Sequence, residues 1–159
     1  IFGKGAAAEA ITLLADRYSA SGMILDHESS PLGVVALDER ACSGCWTCAG
    51  SCPNGALRVE ADGDEVSLDF DPALCSACGE CARVCPEAEA GAIRVERRTD
   101  LASMARGRVS LHRDVELSCE SCGASIASAG LLRRLEALLG DDAAALTDRL
   151  GRFCATCRV

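Results

Sequence analysis

Cysteines constrain this chain more than any other feature of its sequence. The 159 residues contain 12 cysteines, which form three sets of four with none left over. The first two sets share the spacing C-x-x-C-x-x-C-x-x-x-C-P, and the third consists of two separate C-x-x-C pairs. The sets are Cys42, Cys45, Cys48 and Cys52; Cys75, Cys78, Cys81 and Cys85; and Cys119, Cys122, Cys154 and Cys157. Successive C-x-x-C steps favour metal ligands over a disulfide scaffold, which is the alternative for a short cysteine-rich chain.

The rest of the composition offers little material for a large core. Hydrophobic residues make up 49% of the chain, but only 3% of residues are aromatic. Because alanine and cysteine bury little area, we expect a modest hydrophobic contribution to stability and a further contribution from bound metal. No apolar run approaches the roughly 18 residues that a membrane helix needs. The sequence therefore predicts no membrane span, and we expect a cytoplasmic location.

The first two cysteine sets lie in an internal repeat. The stretch LDERACSGCWTCAGSCPNGALRVE overlays FDPALCSACGECARVCPEAEAGAIRVE at an offset of 33 residues. Each copy reads as a short strand, a cysteine-rich turn and helix, and a second short strand. Because each copy is too small to bury a face alone, we predict that the two pack together with pseudo-twofold symmetry. The predicted fold class is α+β.

Residues 34–96 resemble bacterial-type ferredoxins with two [4Fe–4S] clusters, in all eight cysteines and in both prolines of the repeat. In the cysteine run of that family the fourth cysteine ligates the other cluster. The alternative, zinc in place of the clusters, rarely uses a third close C-x-x-C step. The resemblance implies one cluster on Cys42, Cys45, Cys48 and Cys85, and a second on Cys75, Cys78, Cys81 and Cys52.

One residue departs from the pattern of that family. Trp46 occupies the position that Gly79 has in the second repeat, where the family usually has glycine. Three roles are open for this side chain. It could shield the first cluster from water, face a partner, or fill a core that has few aromatic residues.

The third cysteine set predicts a closed metal site. Its two C-x-x-C pairs are separated by 31 residues. Four thiolates leave no open position for a substrate, so we predict structural zinc, with a single iron or a third iron–sulfur cluster as alternatives. Between the pairs, LLRRLEALL at 131–139 predicts a helix with its leucines on one face, and a second helix follows around 142–150.

The sequence predicts four parts. These are an N-terminal helical packing segment (1–33), a dicluster ferredoxin domain (34–96), an arginine-rich linker (97–117) and a four-cysteine, zinc-type module containing helices (118–159). The first fifty residues also resemble, loosely, the junction at which flavin-binding subunits of the heterodisulfide-reductase type run into a ferredoxin domain. That resemblance implies a module of a larger redox assembly.

The expected function is electron transfer between redox partners, by a component of an oxidoreductase complex that is not a catalyst alone. No catalytic residues are predicted, because the two histidines are isolated and no nucleophile motif is present. The net charge of −8 favours a larger redox enzyme subunit with a basic docking surface as the partner. A free soluble ferredoxin is one alternative.

The other alternative is a redox-sensing regulatory or nucleic-acid-binding protein that uses the zinc module for contact. Overall acidity counts against nucleic acid, because phosphate binding needs a basic face. A run of arginines keeps this alternative open. The run comprises Arg97, Arg98, Arg106, Arg108 and Arg113.

Overall fold

Six helices and seven strands make up the part of the chain that the computed structural model describes, residues 6–19, 22–140 and 144–158. The helices are α1 (Ala6–Arg17), α2 (Thr47–Gly50), α3 (Glu80–Arg83), α4 (Leu101–Arg106), α5 (Ala129–Leu139) and α6 (Ala144–Arg152). The strands are β1 (Ile24–Asp26), β2 (Gly33–Leu37), β3 (Leu57–Asp62), β4 (Glu65–Phe70), β5 (Ile93–Asp100), β6 (Val109–Ser118) and β7 (Ser125–Ser128). The fold is mixed, with antiparallel sheets and a C-terminal four-cysteine cluster, as the predicted class requires.

The strands of the two sequence repeats pair with each other. One sheet has the order β1-β5-β2, in which Val35 of the first repeat lies opposite Val95 of the second. The other sheet has the order β3-β4-β6-β7, in which Leu57 of the first repeat lies opposite Phe70, just before the second cysteine run. Each copy of the repeat therefore contributes one strand to each of the two sheets.

Strand β4 supplies the centre of the core. Its side chains alternate between the two faces, and Val66, Leu68 and Phe70 are all buried. This alternation is typical of a strand with one face against a core. Leu57 and Ile93 complete the apolar contacts, and Cys75 and Cys81 belong to the same buried cluster. The cysteine sites therefore adjoin the core directly.

We expect Phe70→Ala to destabilise the protein by about 3–5 kcal/mol, because the ring is 3% exposed and its loss leaves a cavity. Phe70 lines neither of the cysteine cavities described below, so the effect reports on packing. Tyr18→Ala is the matched control, since that ring is 76% exposed and its loss should change stability by about 0.5 kcal/mol or less. Anaerobic denaturant titration would measure both. Equal unfolding midpoints for the two variants would contradict this assignment of the core.

Residues 97–117 differ from the predicted linker. They contain the second half of β5, helix α4 and nearly all of β6, which pairs with β4 from Val109 to Val115. The side chains of β6 are half-buried or exposed along its length, so the strand shows no apolar run. Backbone pairing with β4 places it in the sheet, and Leu111 packs against the hydrophobic core. Arg113 also forms an exposed cross-strand ion pair with Glu65, at 2.6 Å.

The two predicted C-terminal helices are present as α5 and α6. Ser128 begins α5 by accepting a hydrogen bond from the Leu131 amide at 3.1 Å. Leu138 and Leu139, predicted for the packed face, are exposed in the last turn of α5. Residues 142 and 143, at the start of the range predicted for the second helix, lie outside the described residues.

The N-terminal segment 1–33 contains helix α1, and also strand β1, which pairs with β5. Residues 1–5 of this segment lie outside the described part of the chain. None of the helices described is long and apolar enough to cross a membrane.

Candidate metal centres

Each cysteine loop of the repeat turns through two left-handed residues. In the first loop these are Gly44 (φ 66°) and Trp46 (φ 59°), and in the second they are Ala77 (φ 54°) and Gly79 (φ 78°). Each loop thus has one glycine and one residue whose side chain makes this backbone conformation costly. Trp46 and Gly79 each precede a four-residue helix that contains the third cysteine of the run.

Two cavities lie beneath these loops, and each is bordered by four cysteines. Apolar side chains form much of the remaining wall of each cavity. They include Leu37, Leu68 and Ile93 in the first cavity and Val35, Leu57 and Val95 in the second. The cysteines of the first cavity are Cys42, Cys45, Cys48 and Cys85. Those of the second are Cys52, Cys75, Cys78 and Cys81.

The fourth cysteine of each run therefore lies beside the other run. Besides burial, the negative charge of a Cys85 thiolate raises the pKa of Cys42, and that of a Cys52 thiolate raises the pKa of both Cys75 and Cys81. This proximity follows from the pairing of strands between the copies, which brings the end of one run to the start of the other. The identity of the group that each set of four binds stays a prediction.

The thiols in these cavities are chemically suited to bind iron. Burial raises the pKa of Cys48 to about 12 and that of Cys81 to about 11. Backbone amides oppose this effect, as those of Gly44 and Ala77 donate hydrogen bonds to Cys42 and Cys75. Because a ligating cysteine must lose its proton, a metal cation would supply the positive charge that these dry thiolates lack. The donor set and the apolar walls fit an iron–sulfur cluster in each cavity.

Trp46 forms part of the wall of the first cavity and also contacts the hydrophobic core. Its ring centroid lies 5.8 Å from that of His112 on β6. The indole Nε1 is buried without a hydrogen-bond partner among the described residues. Of the three roles open for this residue, these contacts favour shielding the cavity and filling the core.

The third cysteine set forms a compact group. The sulfurs of Cys119, Cys122, Cys154 and Cys157 all lie within 4.8 Å of one another, and the Cys122 and Cys154 sulfurs are 3.7 Å apart. Zn–S bonds of about 2.3 Å in a tetrahedron place sulfurs about 3.8 Å apart, so the spacing fits a single ion. The eight cysteines of the repeat, all of them described, form no group this tight. A cluster binds each cysteine to a different iron and requires wider spacing.

Contacts between the two pairs hold the third site together. Arg152 donates two hydrogen bonds to the Glu120 carboxylate, at 2.7 and 3.0 Å, and the Glu120 amide donates to the Arg152 carbonyl at 2.9 Å. A backbone hydrogen bond from the Cys154 amide is the main cause that lowers the pKa of Cys119 to about 6. The hydrogen bond with Cys122 is the main cause that raises the pKa of Cys157 to about 12, so metal binding would displace a proton there.

The C-terminal part of the chain packs against the first cysteine loop, a feature that the sequence did not predict. The Ser128 hydroxyl donates to the Gly44 carbonyl at 2.9 Å. Arg134 donates two hydrogen bonds, at 2.7 and 2.8 Å, to Glu87, which lies two residues after Cys85. The partners are 84 and 47 residues apart in sequence, so no local spacing could have indicated them.

Gly33 in β2 supports the second loop by close approach. A Cβ at Gly33 would lie 2.8 Å from the Ala77 Cβ and 3.1 Å from the Cys75 sulfur. We therefore expect Gly33→Ala to displace the second loop at a cost of about 1–3 kcal/mol and to speed iron loss to a chelator. Gly50→Ala in α2 is the matched control, because a Cβ there meets nothing within 4 Å. Equal rates of iron release from the two variants would contradict the predicted contact.

Comparison with known proteins identifies the cysteine-rich part of the chain. Residues 41–92, which include all eight cysteines of the repeat, match the family described as the 4Fe-4S dicluster domain. No curated protein matches this chain. The match, the two four-cysteine cavities and the spacing of the cysteines agree, and residues 41–92 form a 4Fe–4S ferredoxin-type domain of an iron–sulfur protein.

Proposed function

We propose that this chain transfers electrons through two [4Fe–4S] clusters, as a module that passes single electrons between redox partners. The observation that carries the proposal is the pair of cavities, each bordered by four cysteines drawn from both runs. A single cluster would leave one complete set of four converging cysteines without a metal to bind. The pairing of strands between the copies supports the pseudo-twofold arrangement in which the two sites are equivalent.

The protein's own residues bind the clusters, shield them from water and adjust their reduction potentials. The cysteines hold the iron, the apolar walls exclude water, and backbone amides donate hydrogen bonds to the ligand sulfurs, which raises the reduction potential. When bound, each cluster supplies one-electron chemistry. The charges of Cys48 in the first cavity and Cys81 in the second interact, so the two sites are close neighbours. Close sites suit exchange of an electron between them.

The third site is proposed to hold zinc and to stabilise the C-terminal module. The short distances between its sulfurs favour one ion over a cluster. A single iron would suit the same distances and is the alternative. With four thiolates and no open position, the site offers nothing for a substrate to bind.

The proposed partner is a larger redox enzyme subunit with a basic docking surface. The chain carries a net charge of −8, and the clusters and zinc site would each add negative charge through their thiolates. Acidic charge steers association towards a basic surface, and this attraction weakens as salt concentration rises. The heterodisulfide-reductase-type assembly that the first fifty residues suggest remains one candidate context.

The arginines of 97–113 count against the nucleic-acid alternative. Three of the five form ion pairs with carboxylates, and the other two hydrogen bond to Ser30 and Ser103. The ion pairs are Arg98 with Asp26 and Glu96, Arg108 with Asp71, and Arg113 with Glu65. The three ion pairs reduce the positive charge that this stretch offers to a phosphate backbone.

Metal analysis tests the cofactor content directly. We expect protein purified without oxygen to carry about eight irons, about eight inorganic sulfides and about one zinc per chain. About four irons would contradict the proposal of two clusters. About nine irons without zinc would assign a single iron to the third site, and about twelve would assign a cluster there.

A further inference from the structure

Asp114 is a buried carboxylate beside the first cysteine loop. Its side chain is 5% exposed. A Cβ built on Gly44 would lie 3.0 Å from the Asp114 Oδ2, which places this oxygen against the loop between Cys42 and Cys45. The carboxylate comes from β6, which lies outside the repeat.

The surroundings of Asp114 keep it ionised. The Val115 amide donates to Oδ1 at 2.9 Å, and the Gly130 amide donates to Oδ2 at 2.7 Å. Burial raises the pKa of Asp114, but these two amides and Arg133 outweigh it and leave the pKa below its usual value. The nearest cation is the Arg133 guanidinium, 3.5 Å away and 69% exposed, so water screens much of its charge.

Asp114 lies beside the first cysteine set, because its Oδ2 lies 3.0 Å from the position of a Cβ on Gly44, between Cys42 and Cys45. Burial, the other cysteines and Asp114 all raise the pKa of Cys42. Burial and other cysteines raise the pKa values of Cys75 and Cys81. The other carboxylate near the first set, Glu87, is held by two hydrogen bonds from Arg134. The two cavities therefore differ in their electrostatic surroundings although their cysteine sets correspond.

We propose that Asp114 lowers the reduction potential of the first cluster relative to the second and so makes the two clusters unequal. The inference rests on the proposed function. One-electron reduction adds one negative charge to a cluster, and a low-potential one-electron reductant supplies it. A fixed negative charge in a poorly solvated site opposes that addition. An electron that enters the module would therefore reside mainly on the second cluster.

Redox titration with dithionite, followed by electron paramagnetic resonance, tests this in the metal-loaded full chain. In Asp114→Asn we expect one of the two midpoint potentials to rise and the other to stay unchanged. The moving signal should be the one that Cys48→Ser alters and Cys81→Ser leaves intact. Arg133→Gln removes the cation that faces Asp114, and the same midpoint should fall by a smaller amount, because this arginine is exposed. That variant changes a solvated side chain, so it keeps the test valid if Asp114→Asn does not fold.

Glu80→Gln is the matched control. Glu80 lies on α3 beside the second loop, but its side chain is 40% exposed and is paired with Arg83, so its loss should leave both midpoints nearly unchanged. The inference is overturned if both clusters load and neither Asp114→Asn nor Arg133→Gln moves the first midpoint, or if both midpoints move equally. Loading of fewer than two clusters in the unaltered protein would instead overturn the proposed function.

Discussion

Replacing Cys85 by serine should damage the first cluster and spare the second, although Cys85 belongs to the cysteine run of the second. Cys85 borders the cavity of Cys42, Cys45 and Cys48, and its charge reaches Cys42. Removal of one of four ligands should cost that site most of its iron on exposure to a chelator, so the protein would retain about four of about eight irons. Iron and sulfide analysis with low-temperature electron paramagnetic resonance would measure the loss.

Two reference variants identify which cluster is affected. Cys42→Ser damages the first site and Cys75→Ser the second, whichever way the fourth ligands are exchanged. The spectrum of Cys85→Ser should match that of Cys42→Ser, and the spectrum of Cys52→Ser should match that of Cys75→Ser. The opposite matches would mean that each run binds its own cluster, and the crossed ligand sets would be wrong.

Replacing Cys157 by serine should abolish zinc binding and unfold the C-terminal module. Binding of zinc to four-ligand sites of small domains contributes about 10–16 kcal/mol, and here it joins two cysteine pairs that lie at opposite ends of the segment. We expect the variant to contain no zinc and to lose amide exchange protection in α5 and α6. Mass spectrometry of the intact protein and hydrogen exchange would measure these changes.

The two clusters should remain reducible by a soluble donor in the Cys157→Ser protein, because a zinc ion has no redox change to contribute. The first cluster, however, should be less stable than in the unaltered protein. The contacts of Ser128 with Gly44 and of Arg134 with Glu87 would be lost, so the first cluster should lose iron faster than in the unaltered protein. Ala155→Ser, an exposed change within the same pair, is the control and should leave zinc content and protection intact. Loss of electron transfer to a partner that still binds with normal affinity would argue that the third site contains redox-active iron.

The sequence by itself determined how the cysteines group into sets and where the ferredoxin-type domain lies. A C-x-x-C step brings two sulfurs to one turn whatever the rest of the chain does, so the local spacing predicted three cysteines of each proposed cluster and both halves of the third site. The 33-residue repeat in the same way predicted strands on either side of each loop, because each copy carries its own apolar positions. These features depend on contacts within a few residues.

Only the tertiary structure decided what surrounds those sites. The place of β6 in the sheet and the contacts of Asp114 and Ser128 with the first loop join segments far apart in the chain. The position of Cys85 beside Cys42 is also a long-range contact, and only the family resemblance indicated it in advance. Such contacts depend on how the whole core packs. The alternating Val109, Leu111, Val115 and Leu117 of β6 are consistent with a strand but do not identify β4 as its neighbour. The repeat makes the two cysteine sets alike, and the packing of the C-terminal module against one of them makes their environments different.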